Sequence, residues 1–313
     1  MSLQAVALDF LLVAASVLAL AVGASQFVTG ASRIARRVGL SGLVIGLTVV
    51  AFGTSAPEFA VTLDAAFAAK SDISVGNVVG SNILNLGFIL GGAALLRRIR
   101  TSRELVVRDS AVLIGTTVLT FAFLGDLRVS RLEGTVLVAL LVGYLFVLAR
   151  TGSERVRAGE TTAVDVRPAD VVGLVGGLAA VILGAHLLVL AASDIAREAG
   201  LSEWVIGVTV VAVGTSTPEL VTSIVAARRG RSGISAGNLV GSCIFNFLGV
   251  LGAAAVVRPL SVAPTAIGSM GWLLGIVLVA VALFRSSGVL SRLEGLVLIA
   301  LNAVNWALDF VRL

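Results

Sequence analysis

Gly53-Thr54-Ser55-Ala56-Pro57-Glu58 interrupts an otherwise apolar run that covers residues 41–69. That run is long enough to cross the roughly 30 Å of bilayer hydrocarbon. A carboxylate at such depth is costly and marks a functional position. Pro57 has no N–H for the carbonyl of Gly53, and its ring clashes with that carbonyl. Ala56, before the proline, is biased away from helix, and Gly53 loosens the backbone further. A break near 53–57 is therefore expected, with carbonyls around Ala51–Thr54 released from their helical donors. Unpaired backbone oxygens at membrane depth persist only where they line a cavity or meet a ligand. Thr54 and Ser55 add hydroxyls. Glu58, four residues beyond Thr54, lies on the same helical face.

The same sentence is written again 161 residues later as Gly214-Thr215-Ser216-Thr217-Pro218-Glu219. Residues 23–58 match 184–219 at 23 of 36 positions without a gap. The offset also aligns Gly76-Asn77-Val78-Val79-Gly80-Ser81 with Gly237-Asn238-Leu239-Val240-Gly241-Ser242, and Ser130-Arg131-Leu132-Glu133-Gly134 with Ser291-Arg292-Leu293-Glu294-Gly295. The chain is a duplicated unit. Matching helix breaks in two halves point to a transporter's binding site.

Of the 313 residues, 58% are hydrophobic and only 13% charged, with a mean hydropathy of +1.06. Soluble domains carry about 25% charged residues. Ten apolar spans fit, near 4–32, 41–69, 73–96, 107–125, 130–149, 169–196, 202–227, 234–257, 265–284 and 289–311. The expected fold class is an all-α polytopic membrane protein with ten transmembrane helices. Residues 1–149 read as the first five-helix repeat, 150–167 as a cytoplasmic linker and 168–313 as the second repeat. Five is odd, so the second repeat is inverted relative to the first. With the N-terminus outside, 17 of the 23 Lys and Arg residues fall in cytoplasmic loops and 6 outside, the bias of a membrane-oriented chain. This accounts for the net charge of +5 without nucleic acid, and it predicts a multi-pass cell-membrane protein with both termini outside. No Lys or Arg precedes Arg33, so the first run reads as a retained span rather than a signal peptide. The single cysteine, Cys243, excludes an intramolecular disulfide and a thiolate cluster. His186 reads as a packed or hydrogen-bonded helix residue.

The third and eighth spans supply the rest of the pocket. Gly76 and Gly80, like Gly237 and Gly241, are four apart and allow close backbone approach. Ser81 with Asn85, and Ser242 with Asn246, share a face at the same spacing. The pocket so assembled contains carboxylate, hydroxyl, amide and carbonyl oxygens, without sulfur or imidazole. Such a set suits hard cations such as Ca²⁺, which take six to eight oxygens, rather than soft transition metals.

The doubled motifs Gly-Thr-Ser-x-Pro-Glu and Gly-Asn-x-x-Gly-Ser-x-x-x-Asn resemble those of the sodium/calcium exchangers of the cation/calcium exchanger superfamily, over essentially the whole chain. The resemblance implies ten spans and coupling of Ca²⁺ to Na⁺ by alternating access, with the first and sixth spans sliding across the core. It implies Glu58 and Glu219 as principal ligands. It adds Ala51, Thr54, Ser55, Ser81 and Asn85 on one side, and Ala212, Thr215, Ser216, Ser242 and Asn246 on the other. Some members carry Asp where this chain has Asn246, potassium-dependent exchangers among them. The pocket here has two motif carboxylates, and no regulatory insert follows the fifth span, as in a minimal prokaryotic form. Na⁺ and Ca²⁺ are expected as transported ions and the bilayer as partner, with no cofactor and no nucleic acid. The duplication already supplies two half-sites, so a monomer suffices.

Two other functions compete. A Ca²⁺/H⁺ antiporter of the same superfamily would use the same glutamates, since a buried Glu can carry a proton. A passive cation channel would show no dependence on a counter-ion. An intramembrane enzyme needs a nucleophile beside a base, and the only His and only Cys lie in different spans, so the chain does not read as an enzyme. Glu133 and Glu294 read as helix-start or interface residues, Asp64 as a pore-mouth charge or a residue without a role, and Asp309 as interfacial.

Overall fold

The computed structural model describes residues 3–37, 41–157, 167–198 and 212–311. In chain order its main elements are α1 (Leu3–Arg37), α2 (Gly42–Thr54), α3 (Ala56–Phe67), α4 (Ser71–Leu96), β1 (Ile99–Arg100), α5 (Leu105–Asp126), β2 (Arg128–Val129) and α6 (Arg131–Arg157). There follow α7 (Pro168–Glu198), α8 (Ala212–Thr215), α9 (Thr217–Arg228), α10 (Ser232–Val257), β3 (Leu260–Ser261), α11 (Thr265–Ser287), β4 (Val289–Leu290) and α12 (Arg292–Val311). Among the described residues, six helices are long and apolar enough to cross a membrane, or seven if the bent pair α2 and α3 forms one span. Of the remaining expected spans, the sixth corresponds to α7, whose apolar part is Pro168–Gly184, and the tenth to α12. The seventh is described only from Ala212. The helix α6 continues to Arg157, well into the expected linker, and residues 158–166 lie outside the described ones.

Helices α4 and α10 form the centre: 78% of each apolar window is buried, against 22–39% for the surrounding spans. The outer helices turn Leu11, Leu18, Leu140, Phe146 and Leu183 outward, where a spanning protein meets lipid. The inward faces of α4 and α10 contribute Leu86, Ile89, Leu90, Phe247, Leu248 and Leu251 to one continuous apolar cluster.

Close approach is set by glycine. A Cβ on Gly237 would sit 2.6 Å from the Leu43 carbonyl oxygen, and one on Gly241 would sit 2.8 Å from the Leu47 Cα. Helix α10 therefore lies backbone to backbone against α2, as the four-residue spacing predicts. Of the partners that the repeat offset gives Gly76 and Gly80, Trp204, Gly207 and Val208 lie outside the described residues. Helices α1 and α7 meet in the same way, with Gly177 facing the Gly23 carbonyl and the Phe27 amide. An Arg33–Asp170 ion pair of 2.7 Å joins their ends.

Two miniature sheets clip the halves together. Ile99 pairs with Leu290 and Arg100 with Val289, while Val129 pairs with Leu260 and Arg128 with Ser261. The two bridges are copies of each other at the 161-residue offset. Ser130 and Ser291 begin the helices after β2 and β4, and each caps its helix with a glutamate. Glu133 Oε2 accepts the Ser130 N–H at 2.7 Å, and Glu294 Oε2 accepts the Ser291 N–H at 2.7 Å, the reciprocal arrangement of a capping box. Both glutamates are thus the helix-start residues expected.

Candidate cation site

The proline breaks fall where expected. The residue at the corner is Ser55 (φ −81°, ψ 9°) between α2 and α3, which diverge by 47°, and Ser216 (φ −86°, ψ 3°) between α8 and α9. Pro57 and Pro218 occupy the first turn of the following helix, a position that tolerates a missing N–H. Glu58 and Glu219 occupy the same turn, at the positive end of the helix dipole. The break does not release the Ala51 carbonyl, which accepts the Ser55 N–H at 3.0 Å. Ala212 opens α8 at the edge of the described residues.

The corners cross-link the halves. Ser55 Oγ donates to Glu219 Oε1 at 2.8 Å, and Ser216 Oγ donates to Glu58 Oε1 at 3.0 Å. Ser242 Oγ also reaches Glu219 Oε1 at 3.2 Å, and Ser81 Oγ lies 3.2 Å from Ser216 Oγ. Both carboxylates are fully buried, and each leaves its Oε2 without a hydrogen-bond partner. Asn85 Oδ1 and Asn246 Oδ1 are likewise buried and unpartnered. Buried polar atoms without partners are rare enough to require a cause, and oxygens spared on both sides of one crossed pair fit a cation between them.

Each asparagine starts a π-helical turn, Asn85–Ile89 in α4 and Asn246–Leu251 in α10. Such turns are uncommon and concentrate at functional positions. The Thr54 hydroxyl lies 3.0 Å from both the Val50 carbonyl and Asn238 Oδ1, and its single proton serves one acceptor at a time. Thr215 is buried in the same region. The structure therefore gathers these side chains into two hydrogen-bonded groups that cross the halves, Ser55 and Ser242 on Glu219, and Ser216 on Glu58 with Ser81 beside it.

Three features escape the sequence reading. Asn77 Nδ2 donates to Thr62 Oγ1 at 3.0 Å, and its copy Asn238 Nδ2 donates to Ser223 Oγ at 2.9 Å. These asparagines brace the broken helices against α4 and α10, and their recurrence at the repeat offset was the available signal. Asn82 contacts Asn246 and has no asparagine copy. Cys243 is fully buried between Ser242 and Asn246, with Sγ 3.9 Å from the Asn82 carbonyl oxygen, so sulfur does stand beside the oxygen set. His186 is exposed rather than packed, and Asp64 is exposed and outside the cluster.

Residues 8–150 and 170–308 match the family model described as sodium/calcium exchanger protein. The chain belongs to the sodium/calcium exchanger family. Similar members include the sodium/calcium exchanger MaX1 of Methanosarcina acetivorans, 33% identical over 94% of this chain and 96% of that one. The putative antiporter CaxA of Alkalimonas amylolytica is 38% identical over 75% of this chain and 76% of its own. Among solved structures, the sodium-calcium exchanger NCX_Mj soaked with 2.5 mM Na⁺ and 0.1 mM Ca²⁺ superposes with a TM-score of 0.85 at 32% identity, covering 98% of this chain and 99% of that one. The family is one of exchangers, and nearly the whole length of the chain takes part in the likeness.

Proposed function

We propose that this chain is a secondary antiporter that exchanges Na⁺ for Ca²⁺ across the cell membrane by alternating access. The observation that carries the reading is the crossed pair at the centre: Ser55 on Glu219 and Ser216 on Glu58, each buried glutamate keeping one oxygen unpartnered. Two carboxylates supply a charge of −2, which one Ca²⁺ neutralises. Na⁺ and Ca²⁺ then compete for the same oxygens, which couples their movement. With three Na⁺ per Ca²⁺ each cycle carries one net charge, worth about 2.3 kcal/mol per 100 mV.

In this reading ten helices form two inverted repeats, 1–149 and 168–313, joined by the cytoplasmic stretch 150–167, with both termini outside. The site comprises Glu58 and Glu219 with Ala51, Thr54, Ser55, Ser81 and Asn85, and with Ala212, Thr215, Ser216, Ser242 and Asn246. Both half-sites lie in one chain, so a monomer transports. The glycine contact between α1 and α7 supports their moving as a unit across the core.

The test is ⁴⁵Ca²⁺ uptake into proteoliposomes loaded with Na⁺, against vesicles loaded with K⁺ or choline, at equal pH on both sides. Uptake that needs the outward Na⁺ gradient, and is faster when the potential draws positive charge outward, is the expected result. Uptake driven by a pH gradient and indifferent to Na⁺ would move the chain to Ca²⁺/H⁺ exchange. Uptake that needs no counter-ion would make it a channel.

A further inference from the structure

The two halves of the site match except at one amide. In the second half, Asn246 Nδ2 donates to Asn82 Oδ1 at 3.0 Å, and Asn82 Nδ2 donates to the Cys243 carbonyl at 3.3 Å. The direction of this chain of bonds is dictated by its end. A backbone carbonyl only accepts, so Asn82 must turn its NH₂ toward Cys243. Its oxygen must then face Asn246, which must answer with its own NH₂. What remains is Asn246 Oδ1, fully buried and without a partner. The repeat offset replaces Asn82 with Cys243 in the other half. A thiol is a weak acceptor, and there both amide atoms of Asn85 are left unpartnered.

From this we infer that Asn82 is a positioning residue for ion selection: it holds the Asn246 amide with its oxygen toward the cation, while Asn85, beside the Cys243 thiol, has only a weak partner to hold it. The inference deepens the exchange reading and rests on it. An amide that turns its NH₂ to a cation repels it, so a locked oxygen matters most for the ion that needs the most ligands. Ca²⁺ takes six to eight oxygens, and its binding should depend on the lock more than that of Na⁺.

The experiment is calorimetric Ca²⁺ binding to purified protein without Na⁺, with Na⁺-dependent ⁴⁵Ca²⁺ uptake measured alongside. The principal variant is Asn82→Cys, because the other half already packs a cysteine at this position; Asn82→Leu is a second. Each should weaken Ca²⁺ binding about tenfold, the scale of one hydrogen bond's net worth, and shift the Na⁺ concentration for half-maximal exchange by less than about twofold. The decisive arm is the background Asn246→Asp, whose carboxylate presents an oxygen whichever way it turns. There, Asn82→Cys should cost Ca²⁺ binding nothing. An equal loss in both backgrounds would show that Asn82 acts through packing and overturn the inference, as would unchanged Ca²⁺ binding in the single variants. Wild-type protein without Na⁺-dependent uptake would sink the exchange reading instead, a separate outcome from either of these.

Discussion

The centre of the molecule and its rim treat the duplication differently. At the centre the copies keep most of the same bonds, the Asn82–Cys243 position aside. Ser74 Oγ donates to the Thr62 carbonyl at 3.0 Å, and Ser235 Oγ donates to the Ser223 carbonyl at 3.0 Å. Ser55 and Ser216 turn the same corner and bond to each other's glutamate. At the rim the strand bridges and helix caps are kept, but the packing of the outer helices parts. Arg108 grips Asp109 through Nε and Nη2 at 2.7 and 3.1 Å, and the Tyr144 hydroxyl adds a bond of 3.1 Å to the same carboxylate. The offset positions in the second half are Ser269, Met270 and Asn305, with Met270 fully buried. A site that closes on a cation from two sides needs a matched oxygen from each. An outer helix needs only to pack, which an ion pair and a methionine accomplish equally well.

The largest expected effect tests the equality of the two glutamates. Glu58→Gln and Glu219→Gln should each reduce Na⁺-dependent ⁴⁵Ca²⁺ uptake by at least about a hundredfold, since the charge of the ligand set governs Ca²⁺ affinity. Either variant retaining a tenth or more of wild-type flux would break the symmetry of the centre and leave one glutamate as the working ligand.

A second, intermediate effect tests the backbone contact that holds the centre together. A methyl group on Gly241 would meet the Leu47 Cα at 2.8 Å and the Ala51 Cβ at 2.9 Å. Gly241→Ala must push α10 away from the broken helix, at a cost of about 1–3 kcal/mol for overpacking. The readout is a lower melting temperature in detergent. The contrast is Gly143→Ala on the rim, where an added Cβ meets no described atom within 4 Å. There the melting temperature should hold or rise, because alanine is the better helix former. Equal losses at both positions would mean that the central contact is no tighter than the outer ones.

Much of this was legible because physical rules and the repeat pointed the same way. Pro57 and Pro218 forbid a helix from continuing unbroken through them, and the structure turns within two residues of each. The paired glycines of α10 predict a backbone contact, and Gly237 and Gly241 make it. What stayed hidden depends on which groups face each other across the halves. That Ser55 bonds to the other half's glutamate, rather than its own, follows from how the halves meet, which no local spacing encodes. The Ala51 carbonyl departs from the expectation because the corner keeps one helical bond that a clean break would lose. Asn82 stays hidden for a related reason: a repeat exposes what is duplicated, and Asn82 matters because its copy is a cysteine. The place of Cys243 beside the pocket follows from how the helices pack, which the number of cysteines does not encode.

The smallest expected effect concerns residues that are perfectly duplicated and yet stand apart from the cation. Glu133 and Glu294 each cap the helix they begin, with Glu133 Oε2 also taking the Ser130 hydroxyl at 2.8 Å and Glu294 Oε1 the Ser286 hydroxyl at 2.8 Å. Duplication alone would rank them with Glu58 and Glu219. Their surroundings separate them: these bonds stay within one half, at the start of the helix or at the end of the helix just before it, whereas the central glutamates bond across the halves and keep an oxygen spare. Glu133→Gln retains an acceptor for the Ser130 N–H and loses only the charge that strengthens it. It should therefore leave Na⁺-dependent ⁴⁵Ca²⁺ uptake within about twofold of wild type and cost up to about 1 kcal/mol of stability, the usual worth of a cap. Glu294→Gln should do the same. A collapse of transport in either variant, with folding intact, would extend the functional centre to the ends of the bundle, and the division between a symmetric core and a free rim would fail.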